Sequence, residues 1–314
     1  MDNKQPMKTH VALVIGLLIC INAVAQKTTI TYRTPGDSAA NYYLTVIPVG
    51  PPKGLLVLLP GFGGLPEGEY TETDLPKEAA RRGVLTVIAT LQQGFQSFYV
   101  DDKSQQMLSI LIREVQAKYK LTNQKLYVGG FSLGGSGAVL YAERAMASTG
   151  FPKPNAVFAI DPPLDFVRLY ESMQKVRRQS KAEAAVNEAT FFTERMRQEF
   201  DGEPATRQER YSALSPYCHS DTNRTNADWL KKMPIRLITE PDIAWQMQER
   251  NRDLYDLNTI DCVAFINYLR LAGNTNAVYV QTTGKGYRRQ SKTRNPHSWS
   301  IADPKTTLTW LLSY

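Results

Sequence analysis

Short apolar runs recur along the chain and predict strands. Six of them occupy residues 55–59, 84–89, 126–128, 156–160, 235–238 and 278–280. These runs are too short for helices and do not alternate with polar residues, as is typical of strands that are buried on both faces. Residues 28–49 predict one or two further strands, followed by a turn at Pro51-Pro52.

Helical patterns lie between the predicted strands. One amphipathic face is predicted from apolar residues three or four positions apart: Leu108, Leu111, Ile112, Val115 and Tyr119. Residues 138–147 and 261–271 predict two more helices. Alternating strands and helices form parallel β-α-β units. The sequence therefore predicts an α/β fold whose mostly parallel sheet is covered by helices on both faces.

One long segment, residues 165–232, interrupts this alternation. It is polar and charged, and most of it favours helix. Its apolar content is too low to predict an independent hydrophobic core. We therefore predict a helical cap or lid inserted over one end of the sheet, with a separate domain as the alternative.

The first 25 residues have the layout of a secretory signal. Lys4 and Lys8 precede an apolar run at 11–21, and Ala23-Val24-Ala25 forms a small-x-small cleavage site. A membrane anchor is the alternative, but the run is shorter than the ~18–20 residues that span hydrocarbon. We predict cleavage before Gln26, no stable membrane insertion afterwards, and a periplasmic or secreted domain at 26–314.

The composition limits the partners of the chain. The 314 residues are 42% hydrophobic and 21% charged, which excludes collagen-like and low-complexity proteins. The net charge is +7, but the basic residues are scattered, so we expect no nucleic-acid partner. One local cluster of basic residues either forms a solvated loop or binds acidic substrates: Lys285, Arg288, Arg289, Lys292 and Arg294.

The histidines and cysteines of the predicted mature chain are few. His219 and His297 lie in no zinc-binding spacing, so we expect no metal. Cys218 and Cys262 form either one disulfide or two separate buried thiols. The oligomeric state does not follow from the sequence.

A serine lies on a predicted strand-to-helix turn. Residues 126–128 lead into Gly130-Phe131-Ser132-Leu133-Gly134, a G-x-S-x-G pattern followed by an Ala-rich helix. Such a turn exposes the serine at the top of the sheet, and its glycines avoid clashes with the neighbouring backbone. The pattern predicts Ser132 as a nucleophile. A glycine-rich turn that only packs the helix closely on the strand is the alternative.

A second glycine-rich loop follows an earlier predicted strand. Pro60-Gly61-Phe62-Gly63-Gly64 comes directly after residues 55–59. Such a loop can direct a backbone N–H towards the nucleophile and, with the N–H of Leu133, form an oxyanion hole. We predict Phe62 and Leu133 as the two donors, with a plain turn as the alternative.

The remaining catalytic groups are predicted in loops that follow later strands. His297 lies after the last predicted strand, where a general base for Ser132 is expected. Asp242 follows the strand at 235–238 and gives the chain order Ser, Asp, His. Glu240 and Asp161 are the alternative acids, the latter because it ends the preceding strand at 156–160.

Together, these motifs resemble the α/β-hydrolase superfamily, including secreted bacterial esterase-like members with a lid. The resemblance covers most of residues 40–314 and departs from the usual pattern at Glu240-Pro241, where a glycine normally precedes the acid. It implies an eight-stranded sheet, no cofactor and acyl transfer through an acyl-serine.

The resulting functional prediction is a secreted serine hydrolase that cleaves a carboxylic ester. A small serine peptidase of the same fold is the first alternative, so the substrate is a small-molecule or peptide acyl compound. A catalytically silent ligand-binding protein is the second alternative.

Overall fold

The computed structural model describes residues 26–34, 41–91 and 94–314. The predicted signal peptide at 1–25 lies outside these residues, so its cleavage stays a prediction. Within the described ranges, no helix is both long enough and apolar enough to span a bilayer.

A single sheet of eight strands forms the centre of the described residues. The strands are β1 (Lys27–Tyr32), β2 (Tyr42–Ile47), β3 (Gly54–Leu59), β4 (Val84–Ala89), β5 (Lys125–Phe131), β6 (Ala156–Ile160), β7 (Ile235–Thr239) and β8 (Ala277–Gln281). Their order is β1-β2-β4-β3-β5-β6-β7-β8. The pairs β1–β2 and β2–β4 are antiparallel, and all the others are parallel. Each of the six apolar runs lies in a strand, so the mostly parallel sheet is confirmed.

Ten α-helices accompany the strands in the described ranges. They are α1 (Pro66–Glu72), α2 (Leu75–Arg81), α3 (Asp102–Lys118), α4 (Leu133–Ala147), α5 (Phe166–Gln179), α6 (Glu183–Glu199), α7 (Pro204–Leu214), α8 (Ile243–Arg250), α9 (Thr259–Leu271) and α10 (Pro304–Leu311). The predicted helix at 138–147 is α4, which begins five residues earlier because its glycines are helical.

Two apolar cores lie on opposite faces of the sheet. On one face, buried residues of α3, α4 and α9 pack against the strands, for example Leu108, Val139 and Phe265. On the other face, Ala79 of α2 and Leu308 of α10 pack against the sheet. Since both faces are covered, the central strands have no solvent-facing side, which explains their unbroken apolar sequences.

The predicted insertion contains the three helices α5, α6 and α7, between β6 and β7. Their apolar side chains form a third cluster, in which Phe166, Phe200 and Tyr211 join Phe98 and Leu140 from the sheet-bearing part of the chain. The insertion therefore shares its core with the rest of the molecule. Its movement as a lid stays a prediction.

Cys218 and Cys262 are both buried and both free. The Cys262 sulfur lies 3.6 Å from the carbonyl oxygen of Pro162, whereas the Cys218 sulfur lies 3.3 Å from Ser220 Oγ. Of the two possibilities left open by the sequence, the structure has the separate thiols.

Candidate active site

Ser132 occupies the sharp turn between β5 and α4. Its backbone has φ 52° and ψ −126°, a conformation that side-chain-bearing residues rarely adopt. Two backbone hydrogen bonds fix the turn: Ser132 N donates to Ile160 O at 2.8 Å, and Ser136 N donates to Ser132 O at 3.1 Å. The hydrogen bond to β6 and the hydrogen bond within the first turn of α4 therefore keep Ser132 in this strained conformation.

Glycines allow this turn to pack tightly. A Cβ on Gly130 would lie 2.4 Å from the carbonyl carbon of Gly134. A Cβ on Gly134 would lie 2.2 Å from the carbonyl oxygen of Pro60. Any side chain at either position would push the serine turn away from α4 or from the loop after β3. The steric reason for the two glycines of the G-x-S-x-G pattern therefore holds in the structure.

The imidazole of His297 is oriented by Asp161. The Nδ1 of His297 lies 2.6 Å from Asp161 Oδ2. The His297 ring also packs on Phe131, with 4.6 Å between the ring centroids. Asp161 follows β6 directly and has φ 46°, and its backbone N–H donates to Ile238 O at 2.8 Å. Asp161 therefore sits where the histidine's carboxylate partner is expected.

Asp242, the predicted partner of His297, is engaged elsewhere in the structure. Asp242 caps α8, because its carboxylate accepts the N–H of Trp245 at 3.3 Å. Its other carboxylate oxygen binds the guanidinium of Arg294. Both carboxylate oxygens of Asp242 are therefore engaged, one in a helix cap and the other in an ion pair.

Glu240, the other alternative, anchors the loop that carries His297. Its carboxylate accepts the backbone N–H groups of Lys285 at 2.8 Å and Gly286 at 3.1 Å, and it pairs with Arg294 at 2.5 Å. This buried glutamate holds residues 285–294 against the end of β7. It therefore stabilises the loop that carries the histidine, not the imidazole itself.

The order of the strands explains why Asp161, and not Asp242, contacts His297. β6 is the immediate neighbour of β5, which bears Ser132, and β7 lies one strand further away. One strand spacing is about 4.8 Å. An acid at the end of β6 is thus closer to the serine turn than one at the end of β7. The sequence signal for Asp161 was its position directly after a strand, but the sequence did not reveal which strands are adjacent.

The two predicted oxyanion donors, Phe62 and Leu133, line the same cavity as Ser132. Leu133 is the first residue of α4, where N–H groups have no partner within the helix. In the described part of the chain, the amides of Phe62 and Leu133 donate to no protein acceptor, whereas Gly63 N donates to Phe95 O at 2.7 Å. Both amides are therefore available to an oxyanion.

A buried carboxylate supports the glycine-rich loop after β3. Gly61 N donates to Glu69 Oε1 at 3.3 Å, and a Cβ on Gly64 would lie 2.3 Å from the same oxygen. Burial raises the pKa of Glu69 to about 7, and the Gly61 N–H partly offsets this shift. Glu69 could not be predicted from the sequence, since a lone glutamate in α1 has no distinctive pattern.

One cavity of about 220 Å³ brings the candidate groups together. Its lining includes Ser132, Asp161, His297, Phe62 and Leu133. The predicted insertion and the segment after β7 also contribute to the lining, with apolar or aromatic side chains at Leu169, Met173, Phe192 and Trp245. The cavity can hold a small acyl compound beside the serine.

The local basic cluster is mostly engaged in the protein. Arg294 pairs with Glu240 and Asp242, and Arg289 pairs with Asp74 at 2.8 Å. Arg288 lines the cavity and stacks on Phe131, 5.9 Å from its centroid. The cluster thus secures the loop that carries His297, and only Arg288 of its members reaches the cavity. His219 is placed away from this loop, with its backbone N–H on Asp165 Oδ2 at 2.7 Å.

Comparison with known proteins relates the chain to one fold. A family described as alpha/beta hydrolase of unknown function (DUF915) matches residues 88–202. No curated protein matches the sequence.

Solved structures align over most of the chain. A carboxyl esterase 2 from the mycorrhizal fungus Tuber melanosporum aligns with a TM-score of 0.58 and 14% identity, over 94% of this chain and 86% of that one. A thermostable esterase from Pseudomonas putida has a TM-score of 0.56 and 14% identity, over 92% and 80%. The acylaminoacyl peptidase of Pyrococcus horikoshii has a TM-score of 0.51 and 14% identity, over 86% of this chain but 37% of its own length. At these identities, the likeness concerns the fold.

Proposed function

Since the chain has the α/β-hydrolase fold that its sequence predicted, we propose that it is an exported serine hydrolase that cleaves carboxylic esters. The observation that carries the proposal is the 2.6 Å contact between His297 Nδ1 and Asp161, in a cavity shared with the strained Ser132. A binding protein has no need of a nucleophile, a base and an orienting carboxylate around one cavity.

The first half-reaction acylates the serine. The free imidazole nitrogen, Nε2 of His297, takes the proton of Ser132 Oγ as the oxygen attacks the acyl carbon. The carbonyl oxygen becomes an oxyanion, stabilised by the amides of Phe62 and Leu133. Collapse of this intermediate breaks the bond to the alcohol, which leaves with the proton from His297.

The second half-reaction releases the acid. His297 removes a proton from water, and the hydroxide attacks the acyl-serine carbonyl. The carbon–Oγ bond then breaks, Ser132 regains its proton from His297, and the carboxylic acid departs. Asp161 keeps the Nδ1 proton in place throughout and stabilises the imidazolium that forms twice in the cycle.

Amide hydrolysis is the second candidate activity, since the same groups can attack a peptide carbonyl. The structural likeness to an acylaminoacyl peptidase supports it. Matched N-acyl amino acid esters and amides separate the two activities, because only the leaving group differs. We expect turnover of the ester and at most a small fraction of that rate on the amide.

Labelling with a fluorophosphonate tests for an activated serine. We expect modification of Ser132, found by mass spectrometry, that is absent in Ser132→Ala and strongly reduced in His297→Ala. Ser148→Ala, at the C-terminal end of the same helix, is the control and should label normally. A folded protein that neither labels nor hydrolyses esters would overturn the proposal and favour a silent ligand-binding protein.

A further inference from the structure

Arg252 presents an unneutralised guanidinium to the catalytic cavity. The residue follows α8 and lines the same cavity as Ser132 and His297. Its backbone N–H is bound to Gln246 O at 3.2 Å, which fixes the main chain at this position. Among the described residues, no carboxylate lies within ion-pair distance of its half-buried side chain, and no acceptor takes a hydrogen bond from it. A partly buried charge of this kind is stabilised by an anionic partner.

The nearby charges leave Arg252 incompletely neutralised. Burial lowers the pKa of Arg252, while Glu188 and Asp256 raise it and Arg250 and Arg168 lower it. Asp256 is already bound by Lys175 at 2.8 Å and by Ser172 at 2.9 Å.

Glu188 is an exposed residue of α6 that also lines the cavity. It is the remaining carboxylate that influences Arg252, but it lies beyond ion-pair distance. A ligand anion would supply the direct ion pair that Glu188 and Asp256 do not provide to Arg252.

The other arginines of the cavity wall are engaged with aromatic rings. Arg250 lies 5.6 Å from the ring centroid of Trp245. Arg288 lies 5.9 Å from the centroid of Phe131, on the side of the cavity that carries His297. Both add positive potential to the cavity, but Arg252 differs because its guanidinium plane is committed to neither a ring nor a carboxylate.

We propose that the cavity takes an ester that carries a free carboxylate on its acyl or alcohol part, and that Arg252 binds this carboxylate. The inference rests on the proposed ester hydrolysis. A guanidinium offers two parallel N–H donors, which match the two oxygens of a carboxylate. Glu188, Glu240 and Asp256 also line this cavity and disfavour a dianion, so a monoanionic carboxylate fits better than a phosphate. The cavity that Arg252 lines has a volume of about 220 Å³, which suits a small monoester.

Matched ester pairs test the proposal. Monoethyl adipate and ethyl hexanoate differ by a carboxylate in place of the acyl terminal methyl group. 4-Acetoxybutyrate and butyl acetate differ in the same way on the alcohol side. We expect the wild-type protein to favour the anionic member of one pair, and Arg252→Met to lower the anionic-to-neutral ratio of kcat/KM by about 10- to 100-fold. Arg178→Met removes the same charge from an exposed position of α5 and should retain the wild-type ratio.

Binding separates this proposal from the catalytic one. In Ser132→Ala, we expect calorimetric titration to show tighter binding of the preferred anionic ester than of its neutral partner, and Ser132→Ala/Arg252→Met to lose the difference. If no ester is hydrolysed but this difference is found, the proposed reaction fails and the carboxylate site stands. Equal affinity within each pair, a preference that survives Arg252→Met, or tighter binding of inorganic phosphate would overturn the carboxylate site.

Discussion

At the scale of residues, three acids near His297 have three different tasks. Asp161 contacts the imidazole, Glu240 anchors the loop of the histidine, and Asp242 caps α8 and pairs with Arg294. They have similar sequence settings, since each follows a strand of the sheet. Their roles differ because the neighbouring strand or loop supplies a different partner to each carboxylate.

Replacement of Asp161 and Asp242 by asparagine distinguishes their roles. Asp161→Asn should lower kcat by about 10³- to 10⁴-fold, because an amide neither keeps the required imidazole tautomer nor stabilises the imidazolium. Asp242→Asn retains a good helix cap and should leave kcat within about 3-fold of the wild-type value. Steady-state ester hydrolysis measures both variants, with circular dichroism as the check on folding. A large loss in Asp242→Asn together with a small one in Asp161→Asn would contradict the assignment.

At the scale of elements, a buried ion pair joins the predicted cap to the sheet-bearing part of the molecule. Arg168 of α5 binds Asp261 of α9 through two contacts, at 2.5 and 2.7 Å. Asp261 also accepts the backbone N–H groups of Leu164 and Asp165, each at 3.1 Å, and is almost fully buried. The start of the cap is therefore fixed where the chain leaves β6.

Arg168→Met should destabilise the protein, because it leaves the Asp261 carboxylate buried without its cation. We expect the free energy of unfolding to fall by about 3–5 kcal/mol. The double variant Arg168→Met/Asp261→Asn should recover part of this loss, since the amide is neutral. Urea unfolding measures both effects, and Arg178→Met on the same helix serves as the control. A loss below 1 kcal/mol would show that the pair does not secure the cap.

At the scale of the whole molecule, the candidate site lies at the carboxyl ends of the parallel strands, and residues of α5 and α6 in the predicted insertion contribute to its lining. Two buried carboxylates lie in the surrounding framework: Glu69 under the loop after β3 and Glu143 within α4. Burial raises the pKa of Glu69 to about 7 and that of Glu143 well above its usual range. Both residues therefore link the stability of the fold to pH.

The direction of this pH dependence follows from the raised pKa. In the unfolded chain, Glu69 loses its proton near its ordinary pKa of 4.5, whereas in the folded protein it keeps the proton until about pH 7. Between these values the folded state holds the extra proton, so stability falls as pH rises, by about 3 kcal/mol in total for this residue. Above pH 7 the contribution of Glu69 is constant.

Glu69→Gln should remove this decline, because glutamine keeps an acceptor for Gly61 N–H without a charge. We expect the variant to gain stability over the wild-type protein as pH rises from 5 to 8. Urea unfolding at several pH values measures the gain, with Glu249→Gln at an exposed position of α8 as the control. The same decline in wild-type protein and Glu69→Gln would refute the assignment.

Much of the fold was determined by local sequence patterns. The apolar runs predicted six strands because a strand covered on both faces must be apolar along its whole length. The serine turn followed from Gly130 and Gly134, since only glycine tolerates the close backbone approach found there. The histidine followed from its position after the last strand. These features depend on residues close together in the chain, so they can be predicted from the sequence alone.

Only the tertiary structure decided which acid faces His297 and which charges reach the cavity. Adjacency in the sheet places Asp161 next to the serine strand, and Arg294 engages Asp242 from a loop more than fifty residues away. The buried position of Glu69 and the unpaired guanidinium of Arg252 likewise depend on segments distant in sequence. Long-range packing determines such partners, because a charge is neutralised by whatever the fold brings within a few ångströms.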